Sequence, residues 1–175
     1  SLVEADALTI NSVDAQSATS TVTLSVGGDV MAGSGSAANI LANSLVLSST
    51  GAVGTAQNAL RTEVDTLTMS SSAAALSGDL VISNTGNLAV VSVSTASNVS
   101  LTSTGEISDA TSDTVLDISA AGLTLVAATG VTGLETQVTS LTVTTSSGDV
   151  SLVEADALTI NRVDAQGEAS TVTLS

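Results

Sequence analysis

Residues 45–53 read LVLSSTGAV, and residues 123–131 read LTLVAATGV. In both, apolar residues alternate with smaller ones, and Thr-Gly then precedes a fresh valine. A period of two puts Leu45 and Leu47 on one side of a strand and Val46 on the other. Glycine supplies the backbone freedom that a sharp corner needs. The pattern recurs along the chain. Apolar-x-apolar runs begin at Leu8, Val22, Leu45, Leu67, Leu88, Val99, Leu123 and Leu141, and the series restarts at Leu158 and Val172. Eight runs precede the restart, so one unit is expected to span roughly 19 residues. Glycine corners lead into second strands at GDV 28–30, GAV 51–53, GDL 78–80, GEI 105–107 and GDV 148–150.

A longer repeat contains these units. Residues 1–25 and 151–175 agree at 21 of 25 positions, differing at Ser12/Arg162, Ser17/Gly167, Ala18/Glu168 and Thr19/Ala169. Between the two copies a half-repeat is visible. ALTINSV 7–13 resembles NLAVVSV 87–93, LRTEVDTLTM 60–69 resembles LETQVTSLTV 134–143, and SGDLVI 77–82 resembles SGDVSL 147–152. Residues 1–150 are therefore expected to be one tandem repeat of eight coils, with half-repeats at about 8–87 and 88–157. Residues 151–175 are expected to start the next repeat of the same solenoid, which makes the chain an excerpt of a longer one.

Composition narrows the fold. The 175 residues include no Phe, Tyr, Trp, Pro, Cys or His, 55 are Ser or Thr, and 43% are hydrophobic, with mean hydropathy +0.50. A thick core normally draws on aromatics. A thin layer of Leu, Val, Ile and Ala suits a stack of narrow coils. Short alternating runs punctuated by Gly, Ser and Asn read as strands, and no 3.6-residue periodicity reads as helix. The expected fold is all-β without helices, a parallel β-helix (β-solenoid) of about nine to ten coils of ~19 residues. Leu8, Val22, Leu45 and Leu67 are expected in one inward column, with Ile10, Leu24, Leu47 and Met69 beside it. Seven of the ten residues between these apolar pairs are Thr, among them Thr23, Thr68, Thr124 and Thr142. Coil-to-coil hydroxyl bonding explains that row better than an ice-binding face, since T-x-T pairs are scattered.

The chemistry is sparse. Seventeen acidic residues against Arg61 and Arg162 give a net charge of −15. Such a surface repels nucleic acid and anionic membranes. No apolar run approaches the roughly 18 residues of a membrane span. Without His or Cys there is no Ser–His or Cys–His nucleophile and no ordinary zinc site. Paired carboxylates could cleave a polysaccharide. Yet Glu4 with Asp6, and Glu154 with Asp156, fall in a predicted corner and not in a cluster. No catalytic residue and no dedicated cofactor or metal site is assigned. Asp29, Asp79 and Asp149, each following glycine in a corner, are weak candidates for adventitious Ca2+. Arg61 with Glu63 and Asp65 reads as a surface ion pair. Asn98-Val99-Ser100 has the form of a glycosylation sequon but falls in a predicted strand.

The LTL/LVL…TG-x-V units and the segment VGTAQNALRTEVDTLTMSS at 53–71 resemble the filamentous haemagglutinin-type repeats of very large bacterial surface adhesins. The resemblance implies a right-handed parallel β-helix, extracellular and at the cell surface, without catalytic residues. The expected function is a structural repeat, the stalk or fibre shaft of a giant secreted or surface protein. The alternatives are an adhesive face for carbohydrate or a partner cell, and a polysaccharide-active β-helix. The expected partners are neighbouring repeats of the same chain, with lateral self-association into fibres as a further option, and neither nucleic acid nor membrane.

Overall fold

The computed structural model describes residues 1–69 and 76–175. Ser70 and Ser71, which end the 53–71 segment, lie outside the described residues. Among the described residues every regular element is a strand, and every strand pairing is parallel. The chain winds as a β-solenoid with two main sides. On the first side, Thr21–Val26 pairs with Leu2–Glu4 and with Ser44–Ser49, which pairs in turn with Thr66–Met69. On the second side one column runs Leu8, Val30, Val53, Leu80, Val99, Leu123, Leu141 and Ile160. Those eight levels mean about eight turns.

Alternation within each strand decides what is buried. Leu45, Leu47, Leu67, Leu101 and Leu125 are fully buried, while the residues between them face outward. Each such leucine contributes about 1.5–3 kcal/mol on leaving water. No single coil could bury its own apolar face, so stacking supplies most of the stability.

The expected inward columns hold for three members in four. Val22, Leu45 and Leu67 stack together, and Leu24, Leu47 and Met69 stack beside them. Leu8 and Ile10 lie on the other side, against Val30 and Ala32. The corner after Glu4 has already turned the chain there, with Gly27 N–H bonded to Glu4 O and Leu8 N–H to Asp29 O.

The coils are also fewer and longer than the nine to ten expected. From Val22 the first side passes through Leu45, Leu67, the strand Leu88–Ser94, Ile107, Val131 and Val150 to Val172. That is seven steps from one copy of the repeat to the next, so the tandem unit holds seven coils, not eight. The steps are unequal. The one from Leu123 to Leu141 is short, and the one from Val53 to Leu80 is half as long again. The surplus unit came from LAV at 88 and VSL at 99. They lie on opposite sides of one coil, Leu88 against Ile107 and Val99 against Leu80.

Seven coils divide into halves of three and a half, and the half-repeat behaves accordingly. Leu45 stacks on the first side, whereas its counterpart Leu123 stacks on the second. Leu67 and Leu141 change sides likewise, as do Leu80 and Val150. The two kinds of corner are built alike. At one, Ser49 Oγ donates to Gly28 O at 2.7 Å; at the other, Ser103 Oγ donates to Gly86 O at 2.5 Å. A Cβ on Gly51 would lie 2.1 Å from Asp29 Oδ1, and one on Gly105 would lie 2.2 Å from Asn87 Oδ1. Close approach of the preceding coil, not a positive φ, requires glycine at both places. The elementary unit is thus half a coil: strand, hydroxyl, Thr-Gly corner, strand.

Candidate functional site

The segment EISDATSDTVLDIS, residues 106–119, carries Glu106 and three aspartates, at 109, 113 and 117. The strand Ile107–Asp109 ends there, and the chain makes an excursion before re-entering the solenoid at Ile118–Ala127. Aspartate side chains shape that excursion. Asp109 accepts from Thr111 N–H at 2.7 Å, Thr111 Oγ1 at 3.0 Å and Asp113 N–H at 3.1 Å. Asp113 accepts from Val115 N–H at 2.6 Å. Ser112 takes a left-handed φ of 52°, an uncommon conformation that these side-chain bonds support.

The next coil crosses this region directly, through the strand Val131–Thr145. Gly133 takes a φ of +71° beneath Asp109. Pairing of Ile118 with Thr136 then sets Asp117 beside Glu135. Asp117 N–H donates to Glu135 O at 2.9 Å, and Glu135 N–H donates to Asp117 Oδ2 at 3.1 Å. One carboxylate oxygen from each of Asp109, Asp117 and Glu135 lies within 4.8 Å of the others. Asp117 is only 2% exposed. Glu135 Oε2 is sealed from solvent and, with both acids ionised, has no hydrogen-bond partner among the described residues. A depression of about 420 Å3, lined in part by Asp109, Asp113, Thr132 and Glu135, opens beside the three acids.

Their electrostatics follow from this placement. Burial is the main cause that pushes the Asp117 carboxyl up to about 7; the Glu135 N–H opposes the rise, while the charge of Asp109, a side-chain hydrogen bond from protonated Asp117 to Glu135 and the charge of Glu135 add to it. At Asp109 burial also acts upward, but the donors from Thr111, Asp113 and Ser112 outweigh it and hold the carboxyl below its ordinary value. Neither arginine relieves the cluster. Arg162 pairs with Asp164. Arg61, expected beside Glu63 and Asp65, instead donates to Gly33 O, Ala37 O and Asn58 Oδ1. The fork of its guanidinium fits the carbonyls of the irregular segment in the preceding coil, which leaves Asp65 to accept from Asn43 Nδ2 at 2.6 Å.

A pH dependence follows for the metal-free protein. Folded Asp117 holds its proton up to about pH 7, whereas its ordinary value is 3.8. Between those values the folded chain binds the extra proton, so stability falls as pH rises through that window and stays lower above it. In chelator, Asp117→Asn should flatten this slope and raise stability at pH 8 by on the order of 2 kcal/mol. Denaturant titrations at several pH values measure it.

Of the acids singled out in the sequence, Asp29, Asp79, Asp149, Glu154 and Asp156 each accept hydrogen bonds from a neighbouring coil. Asp29 Oδ1 accepts from Ala52 N–H at 2.8 Å, Asp79 Oδ1 from Asn98 N–H at 3.0 Å, and Asp149 Oδ1 from Thr171 N–H at 2.8 Å. Each caps the corner of the following coil, and the three do not meet. Glu154 ties its corner to the coil before it, accepting from Val138 N–H at 3.0 Å and Thr136 Oγ1 at 2.9 Å. Asp156 accepts from Gln137 Nε2 at 2.6 Å. Asn98 of the sequon form begins the strand Asn98–Ser103, as expected. The cluster of Asp109, Asp117 and Glu135 was not among the expected sites. Its local signal was three aspartates four residues apart, with Glu135 one coil later. No known protein family, curated protein or solved structure matches the chain.

Proposed function

We propose that this chain is a segment of a rigid shaft, a non-catalytic structural repeat that spaces other parts of a large extracellular, adhesin-like protein. One observation carries the proposal. The two copies of the repeated opening sequence are laid down in the same register, seven coils apart. Leu2 partners Leu24 in the first copy, and Leu152 partners Leu174 in the second. One full repeat therefore returns the chain to the same side and the same partner, which a continuous tandem solenoid requires. The resemblance of residues 53–71 to filamentous haemagglutinin-type repeats supports the extracellular setting. The surplus of negative charge favours keeping neighbouring shafts apart.

Chains carrying one, two and three copies of the 1–150 unit test this. Seven coils at about 4.8 Å each predict a straight rod that lengthens by ~34 Å per unit. Electron micrographs or solution scattering measure the increment. Units joined by flexible breaks, or an increment well below that value, would refute a continuous shaft. A glycan-array signal from the single unit would favour the adhesive alternative.

A further inference from the structure

We propose that Asp109, Asp117 and Glu135 bind one divalent cation of the hard, oxygen-liganded class, calcium in particular, and that the ion fastens the 110–116 excursion to the next coil. The proposal does not depend on the shaft reading.

Two independent observations point to a ligand. The first is convergence: three carboxylates from two adjacent coils lie within 4.8 Å of one another, and the chain's two arginines are engaged elsewhere. The second is the state of the buried atoms. Asp117 is 2% exposed, and Glu135 Oε2 is shut off from solvent and, once Asp117 has lost its proton, has no donor to meet it among the described residues. A buried carboxylate oxygen without a partner is costly, and native structures rarely leave one so. Apart from a protonated Asp117, the polar atoms nearby do not serve it. The N–H of Glu135 is spent on Asp117, the donors around Asp109 are spent on Asp109, and Thr132 Oγ1 donates to Glu106 Oε1. A cation would satisfy Glu135 Oε2 and offset the repulsion among the three acids together.

The donor set chooses the metal. An all-carboxylate site without His or Cys suits hard cations and disfavours zinc and copper. Calcium takes six to eight oxygens at about 2.3–2.6 Å, so ligands on opposite sides of it stand ~4.6–5.2 Å apart. Oxygens within 4.8 Å of one another fit that span. Three carboxylates supply part of the shell, and water entering from the adjoining depression completes it.

The placement gives the ion a mechanical role. Asp109 and Asp117 stand at the two ends of one excursion, and Glu135 stands on the coil that covers it. An ion held by all three closes the loop and links the coils with one set of bonds.

Calorimetry and thermal melting of the full chain test this, after removal of metal with chelator and at physiological salt. Calcium chloride is expected to give a saturable heat at one ion per chain and to raise the melting temperature by about 5 °C. Asp117→Asn and Glu135→Gln should each abolish both effects, while Glu168→Gln, remote from the cluster, should keep them. Absence of a saturable heat would overturn the proposal. So would a heat that survives both cluster substitutions, since that would be diffuse attraction to the acidic surface. If a cluster variant fails to fold, the unaltered chain still decides. Substoichiometric Mn2+ should selectively broaden the amide resonances of residues 109–117 and 133–135. Broadening centred instead on Asp29, Asp79 or Asp149, or spread over all acidic corners, would contradict the assignment.

Discussion

Leu125→Asp is expected to abolish cooperative folding, while Val126→Asp one residue away should leave stability within about 0.5 kcal/mol of the parent. The two residues share a strand and differ only in the side they face. Leu125 is 0% exposed and sits in the inward column between Leu101 and Val143. Val126 is 38% exposed, between Thr102 and Thr144. An aspartate in the column would meet only aliphatic neighbours, and neither arginine is placed to pair with it. An unpaired buried charge costs several kcal/mol even after relaxation, which rivals the roughly 5–15 kcal/mol stability of an ordinary domain. The milder Leu125→Ala should cost about 2–5 kcal/mol and keep a cooperative melt. A coil rests only on its two neighbours, so a lesion at mid-stack unseats both. Far-ultraviolet circular dichroism and denaturant melts of the variants measure the contrast.

Asn84→Leu should destabilise the chain by about 3–6 kcal/mol, although it places an apolar side chain of similar shape in a buried position. Asn84 is 1% exposed. Its Oδ1 accepts from Thr62 Oγ1 at 2.8 Å and Val64 N–H at 3.0 Å. Its Nδ2 donates to Val64 O at 3.1 Å and Asn87 O at 3.0 Å, with a longer contact to Thr85 O. One amide thereby satisfies the backbone at the corner where three strands diverge. Leucine keeps the branched shape, adds bulk and removes every partner, leaving several polar groups stranded in the interior at about 1–3 kcal/mol each. Asn84→Asp should be nearly as damaging, because its second oxygen would face the carbonyls of Val64 and Asn87 without a proton to donate. Denaturant midpoints decide the matter. A neutral Asn84→Leu would mean that the corner is wet or differently built.

These two sites show what could be read from residues alone. Alternation at Leu45-Val46-Leu47 and Leu123-Thr124-Leu125 identified strands and their buried side, because the pleat imposes a period of two wherever one face is covered. The absence of aromatics pointed to thin layers, and the long repeat pointed to stacking. The side of the coil on which a strand lies was not legible. Both halves of a coil use the same strand and the same Thr-Gly corner, so Leu8 and Leu88 look equivalent although they stack on opposite sides. The same ambiguity made one coil, with LAV at 88 and VSL at 99, look like two.

The acids were harder still. An aspartate after glycine reads identically whether it awaits a cation or caps an N–H one coil further on. For Asp29 only the structure shows that Ala52 N–H, one coil further on, is such a donor. Asp109, Asp117 and Glu135 meet because the 110–116 excursion lengthens one coil and a bulge at Gly133 inserts an extra residue into the next. Coils as unequal as Leu123 to Leu141 and Val53 to Leu80 hide such neighbours from any fixed spacing. Arg61 misled for a related reason. Its acidic neighbours in sequence were visible, whereas the carbonyls of Gly33 and Ala37 come from the coil before.

The central claim is that consecutive coils lie in parallel register, and cysteine cross-linking tests it most directly. The chain has no cysteine of its own, so every introduced pair is unambiguous. Ser100 partners Thr124, and Thr124 partners Thr142, all three facing outward. Neighbouring partners stand about 4.8 Å apart, within the roughly 4.4–6.8 Å reach of a disulfide, while Ser100 and Thr142, two coils apart, stand ~9.6 Å apart and beyond it. Under mild oxidation the Ser100→Cys/Thr124→Cys and Thr124→Cys/Thr142→Cys chains should each close an intramolecular disulfide in the folded state. The Ser100→Cys/Thr142→Cys chain should stay reduced. Closure of the two-coil pair in preference to the adjacent pairs, or closure of none, would contradict the stacked solenoid.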